Sequence, residues 1–344
     1  MGGQVTVALA GDTMLGRSVA ALLAQPGSRP VFSPEVVSAA READLFVLNL
    51  ECCISTRGER WPDPSKPFFF RAQPAAVDVL THLGVSCVTL ANNHALDYGS
   101  EALLDTIEHL AAVGIAVVGA GADLDRAREP AVLEAHGFRL GVVGVTDHPA
   151  EYAAAPGRPG VAYASLGQGV PAWLLERVSG LGTDAVLVTP HWGPNMTTRP
   201  QRSIRNAAAR LLDAGATVVA GHSAHVFHGV DGPVLYDLGD FVDDYARDQL
   251  LHNDLGLLFL VVLDGGRPIR LEAVPLKLEH CHTRIARGGE ASWIRRRFGN
   301  ACAELGTHVT EEGGRLVVDW QLTRRAPLAP ARDRRRARTP GGGA

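Results

Sequence analysis

No stretch of this 344-residue chain reaches the ~18 consecutive apolar residues of a membrane helix, so a spanning segment is not expected. A secretory leader is not expected either. The β-rich segment Val5–Ala10 begins without a charged start or a long apolar run, which points to a cytoplasmic protein. Aromatic residues are scarce, at 6%, while Gly numbers 38 and Pro 21. With its high aliphatic content, that composition suits a loop-rich α/β protein with ample chain for a core. The five cysteines (Cys52, Cys53, Cys87, Cys281 and Cys302) are odd in number and show no C-x-x-C spacing. Reduced thiols are expected, with a redox or soft-metal role for the Cys52–Cys53 pair as a weaker alternative. Basic charge is concentrated at one end. Residues 324–344 hold seven Arg against one Asp, so a net charge of −4 leaves about −10 on the rest. An acidic body argues against a nucleic-acid surface. The Arg/Pro/Gly-rich 324–344 segment reads as a disordered tail, and 1–323 as a single domain.

Apolar runs alternate with helical patterns along that domain. Strand-like runs are expected at Val5–Ala10, Asp44–Leu50, Val85–Leu90, Ile115–Val118, Phe138–Val145, Ala185–Thr189, Thr217–Ala220 and Val234–Asp237. Helical periodicity falls near 74–83, 100–113, 171–179, 201–214 and 290–305. Right-handed crossovers between such units predict a largely parallel sheet. Leu255–Leu263 and Arg270–Leu278 read as a hairpin over Asp264-Gly265-Gly266. The late strands are expected to form or join a second sheet.

Ligand-type residues collect where the strands stop. Asp12 follows the first run and Glu51 the second. Asn92, Asn93 and His94 follow the third, His191 follows Ala185–Thr189, and His222 and His225 follow Thr217–Ala220. Open α/β folds keep their sites at that carboxyl edge. Carboxylates, imidazoles and an amide oxygen are ligands for borderline and hard divalent ions, and burying them together without a counter-ion is costly. Asp12 equally suits a helix N-cap, and the asparagines equally suit a turn. Arg199, Arg202 and Arg205 come soon after His191-Trp192-Gly193, and one of them could hold an anionic substrate in a bidentate contact or lie on a solvated helix face.

The motifs occur in a telling order: Gly11-Asp12-Thr13-Met14, Asn49-Leu50-Glu51, Ala91-Asn92-Asn93-His94-Ala95-Leu96-Asp97-Tyr98-Gly99, His191-Trp192-Gly193, Gly221-His222-Ser223-Ala224-His225 and Tyr236-Asp237-Leu238-Gly239-Asp240-Phe241. Together they resemble the CapA (poly-γ-glutamate capsule synthesis) family of the calcineurin-like metallophosphoesterase superfamily, over roughly residues 5–245. The resemblance implies a two-sheet α/β sandwich flanked by helices, with a metal site at the sheet edge. It implies one or two divalent ions (Mn, Zn or Fe) held by Asp12, Glu51, Asn93, His191, His222 and His225, with His94 as the catalytic imidazole. Met14 stands where the phosphoesterases carry a metal-binding histidine, so one position is short of a ligand. Asp237 and Asp240, with Asp243 and Asp244, exceed the family's usual pattern and are expected to supply a ligand or to bind an ammonium group of the substrate, or equally to form a solvated acidic loop. The expected function is a metal-dependent hydrolase or transferase. Its substrate would be an anionic small molecule or peptide bearing a phosphoester or a γ-glutamyl-type amide. The alternative is a non-catalytic module serving a synthetase complex.

Overall fold

Side-chain alternation in the first strand, Val5–Thr13, sets the layering. Val5, Val7 and Leu9 enter one buried cluster and Ala8 and Ala10 another. A strand apolar on both faces must be covered on both. In this computed structural model, which describes residues 3–321, two sheets and their helices provide that cover. The expected tail at 324–344 lies outside the described residues.

The larger sheet has ten strands. Val5–Thr13, Leu45–Leu50, Cys87–Thr89 and Ala116–Val118 run parallel in that order. Asp240–Val242 also pairs parallel with the first strand, placing Asp12 opposite Asp240. On the other side, Leu255–Asp264 pairs antiparallel with the first strand and Arg267–Glu279 with Leu255–Asp264. The late strands therefore extend the first sheet instead of forming or joining a second one, and that sheet is mixed. Their near-continuous apolar run from Leu255 to Leu263 suits a position next to the central strand, buried on both faces.

The second sheet has six strands, with Phe138–Thr146, Ala185–His191, Val218–Ala220 and Val234–Leu235 parallel at its centre. Between the sheets, Val7, Leu9 and Val47 share a cluster with Val142, Leu187 and Val218. Helices cover the outer faces: Val19, Leu80 and Leu103 on the larger sheet, Leu174, Ile204 and Leu211 on the smaller. The two-sheet α/β sandwich flanked by helices that the resemblance implies is thus the architecture observed. Several elements escaped the sequence reading, among them the helix Pro34–Ala40, capped by Ser33 and opened by proline, the edge strand Ala131–Ala135, half exposed and so weakly patterned, and the short strand Asp240–Val242.

All five cysteines are free and buried. Burial pushes the Cys53 thiol up to about 12, and raises Cys52 as well. Thiols held protonated are poor nucleophiles and poor ligands, which removes the reason for a redox or soft-metal role. Among the described residues, no helix is long and apolar enough to cross a membrane.

Candidate metal centre

The parallel strands of both sheets end at one edge, and their last residues meet there. Asp12 lies at the end of the first strand, Glu51 follows Leu45–Leu50, and Asn93 follows Cys87–Thr89. From the second sheet His191 ends its strand and pairs across a β-bridge with His222. Close backbone approach brings the edges together. A Cβ at Gly11 would sit 1.9 Å from the Gly239 carbonyl oxygen, so only glycine allows the contact. His225 and Ser223 hold positive φ, +59° and +119°, in the loop between these strands.

Two groups of three ligand-type atoms result, each within 4.8 Å: Asp12, His191 and His222 in one, Asp12, His225 and Asp240 in the other. Asp12 belongs to both. Bonds of ~2.0–2.2 Å place neighbouring donor atoms ~3.0–3.5 Å apart, which these groups can meet with small adjustments. His191 Nδ1 lies 2.8 Å from His222 Nδ1, and His222 Nδ1 lies 3.8 Å from Asp12 Oδ1. His225 Nδ1 lies 2.7 Å from Asp240 Oδ1 and 3.1 Å from Asp12 Oδ2. His191 Nε2 reaches Glu51 Oε1 at 4.0 Å. Buried oxygens without a hydrogen-bond partner mark the same spot: Asp12 Oδ2, Glu51 Oε1, Asn93 Oδ1 and Asp240 Oδ2. Unmatched buried acceptors of this kind are costly unless a cation meets them, so the residues present fit a divalent ion.

The electrostatics agree with that fit. Burial pushes His191 well down, helped by neighbouring histidines, and lowers His222 to about 4. Both rings are therefore neutral near pH 7, the form that ligates a metal. Burial also acts to lower His225, but the carboxylates of Asp240 and Glu51 around it raise it well above its ordinary value. Burial and the charge of Asp12 raise Glu51 strongly, and burial raises Asp240. Asp12, Glu51, Asp240 and Asp243 crowd around the single ring of His225 in this dry pocket, so positive charge is in short supply there.

His94 stands beside this cluster, and burial lowers its pKa. Its ring stacks on Phe70 with centroids 3.9 Å apart, and its Nδ1 lies 2.7 Å from Asp97 Oδ2. A carboxylate accepts, so Nδ1 carries the proton and Nε2 keeps the exchangeable position. Asp97 is held by the Phe70 N–H (2.6 Å), Lys66 Nζ (3.0 Å) and the Tyr152 hydroxyl (3.4 Å). Sequence reasoning quoted Asp97 inside a motif but gave it no role. Its spacing of three residues from His94 in a turn is the signal that could have found it. A cleft of about 480 Å³ opens over the site, lined by Asn93, His94, His225, Phe70, Lys66 and Arg17 among others.

Several expected residues lie elsewhere. Arg199 is exposed and pairs with Glu304 at 2.6 Å. Arg202 and Arg205 line a separate hollow with Asp231 and Tyr236. Neither Arg199 nor Arg202 lines the cleft, because the chain leaves it after Asn195 and Met196, before the Arg202–Asp213 helix begins. Asp237 accepts the Ala224 and Gly239 N–H groups at 2.8 and 2.9 Å and so braces the ligand loop instead of facing substrate. Asp240 sits among the ligand-type groups, close to Asp12 and His225. Met14 is buried in the core, its Sδ accepting the Gly16 N–H at 3.0 Å, and offers nothing to a metal.

The comparisons with known proteins agree with these motifs. A probable polyglutamine synthesis accessory protein of Mycobacterium tuberculosis is 33% identical over 91% of this chain and 95% of its own length. The capsule biosynthesis protein CapA of Bacillus anthracis is 28% identical over 80% of this chain and 68% of its own. The PGA biosynthesis protein CapA of Bacillus subtilis is 29% identical over 72% and 66%. A hypothetical protein from Thermus thermophilus, of solved structure, aligns with a TM-score of 0.47 at 17% identity, over 79% of this chain and 99% of its own. The family of bacterial capsule synthesis proteins called PGA_cap matches residues 6–245, a span that takes in each of the converging side chains just described. By that match and by its relatives, this chain belongs to the PGA_cap family of bacterial capsule synthesis proteins.

Proposed function

We propose that the chain is a metal-dependent hydrolase or transferase of poly-γ-glutamate or related peptide metabolism, acting on a phosphoester or a γ-glutamyl-type amide. The observation that carries this reading is Asp12, shared by two ligand groups in which Asp12 Oδ2 and Asp240 Oδ2 are buried without a hydrogen-bond partner, beside an imidazole braced by Asp97. Asp12, His191 and His222 would hold one ion, with Glu51 and Asn93 at its margin; Asp12, His225 and Asp240 would hold another. Such an ion supplies Lewis acidity and makes water a nucleophile near neutral pH. The protein's own groups do the rest. His94 exchanges the proton of the departing group through Nε2 while Asp97 fixes its tautomer. Phe70, stacked on the ring, keeps water from its face. The names of the relatives support the substrate class.

A non-catalytic module serving a synthetase complex is the second reading. The withdrawn Met14 side chain and the word "accessory" in a relative's name favour it. Turnover by metal-loaded protein of bis(p-nitrophenyl) phosphate and of a γ-glutamyl peptide, with a chelator control, separates the two. Chelator-sensitive turnover of either supports the hydrolase. Turnover of neither, by protein shown to contain metal, supports the module.

A further inference from the structure

One lysine and one arginine line the cleft, and only the lysine is committed. Lys66 Nζ donates to the Asn93 carbonyl at 2.8 Å and pairs with Asp97 at 3.0 Å, so its charge is spent on the His94 brace. Arg17 forms no hydrogen bond through its guanidinium among the described residues. Its nearest charge is Asp244, whose Oδ2 lies 3.4 Å from Nε. That carboxylate is fully buried and also accepts the Ser18 N–H at 2.9 Å. The guanidinium carbon lies 5.4 Å from the Phe68 ring centre and 5.8 Å from that of Phe70, the ring that stacks on His94. Asp244 and two aromatic faces thus fix the orientation of the guanidinium, while the side chain stays 38% exposed on the cleft.

The backbone adds a second observation. Arg17 has φ +49°, a left-handed value that costs a non-glycine residue ~1–2 kcal/mol. Met196 and His225, also left-handed, line the same cleft. Strain gathered around one cleft is the pattern of a site that holds side chains for a ligand and not for packing. Asp244 also finds its place here. It neither ligates nor meets an ammonium group of the substrate, but orients an arginine.

We propose that Arg17 anchors the substrate by taking a second oxyanion, a carboxylate or phosphate, that lies away from the bond being broken. Guanidinium with its Nη edge uncommitted matches either group in a bidentate contact, which a lysine does not reproduce. Phe68, Phe70 and Tyr245 wall the space beside it, so the linker between the two ends of the substrate is apolar or aliphatic. The cleft volume of about 480 Å³ suits a ligand of dipeptide size. This rests on the hydrolase reading only in placing the reacting end at Asp12 and His94.

The test is binding to metal-loaded protein, which needs no turnover. Glutarate is titrated against glutaramate, and propane-1,3-diyl bisphosphate against propyl phosphate, so that each pair differs by one oxyanion. In the wild type the second oxyanion should tighten binding ~10–100-fold in the arm that matches the natural group, the usual worth of hydrogen bonds to a charged group. That gain should vanish in Arg17→Gln and survive in part in Arg17→Lys, with metal content unchanged in both; the melting temperature should hold in Arg17→Lys and fall in Arg17→Gln, which leaves the buried Asp244 without its cation. Should Arg17→Gln fail to fold, Arg17→Lys carries the comparison through a reduced gain. A gain that persists undiminished in both variants, or no gain in either arm of the wild type, overturns the proposal. Arg17-dependent binding without turnover would refute the hydrolase reading and leave the anchor standing.

Discussion

Replacing Asp97 by asparagine should separate the proton-handling half of the site from the metal-holding half. Four donors converge on the two Asp97 oxygens: the Phe70 N–H, Lys66 Nζ, the Tyr152 hydroxyl and His94 Nδ1. Asparagine keeps one acceptor and turns the other into a donor, so at least two of these partners lose their bond. Removing one member of a buried ion pair costs ~3–5 kcal/mol. Lys66 is 13% exposed and retains the Asn93 carbonyl, which puts the loss near the lower end, about 3 kcal/mol. Lys66→Met made alongside should recover part of it, because the orphaned charge goes too. On the rate, an imidazole no longer held with its proton on Nδ1 should forfeit most of a general acid–base contribution, ~10²–10⁴-fold. Metal content should not change, since Asp97 meets His94 and not the ligand groups. The assay is chemical denaturation, metal analysis and turnover on whichever substrate the wild type accepts. Full turnover in Asp97→Asn with normal metal would refute the brace, and loss of metal in step with loss of rate would place Asp97 in the metal centre instead.

Gly11→Ala should cost about 3 kcal/mol or more and weaken metal retention, because its Cβ would meet the Gly239 oxygen at 1.9 Å and part Asp12 from Asp240. Gly167→Ala, with no atom within 4 Å of the new Cβ, is the neutral control for the same melting experiment. His228 is buried, near Thr197 O at 2.9 Å through Nε2, with Nδ1 unpartnered, and burial lowers it to about 4. The unfolded chain takes up that proton first. Stability from this group is therefore complete above pH ~6.5 and falls as pH drops towards 4, by up to about 3 kcal/mol. His228→Gln keeps a donor for Thr197, and its stability relative to wild type should rise as pH falls across that window; a flat difference would show that His228 is not the cause.

What the sequence made legible was local. Runs such as Ala185–Thr189 announce a strand by themselves, and the polar residue that ends such a run is at the sheet edge wherever the sheet lies. That is why Asp12, Glu51, His191 and His222 could be named before their neighbours were known. The placement of Leu255–Leu263 was not legible. An apolar run buried on both faces pairs equally well with either sheet, and the choice is made by contacts with the first strand far away in the chain. Asp240 reads as a loop acid until its strand pairs with Val5–Thr13. Proximity in sequence misled at Arg199 and Arg202. Eight residues after His191 are enough chain to leave the site altogether, and Arg199 ends on Glu304. Arg17 was passed over for the opposite reason, because its role depends on Asp244 and Phe68, each distant in sequence.

The most direct measurement is the metal content of the protein purified without chelator, then again after equilibration with Mn, Zn or Fe and removal of free ion. At least one divalent ion per chain is expected, retained on dialysis in the wild type. It should be lost in His191→Ala and His222→Ala, whose rings form one ligand group with Asp12. A folded wild-type chain that holds none of the three ions, or variants that keep full occupancy, would contradict a metal centre at this edge.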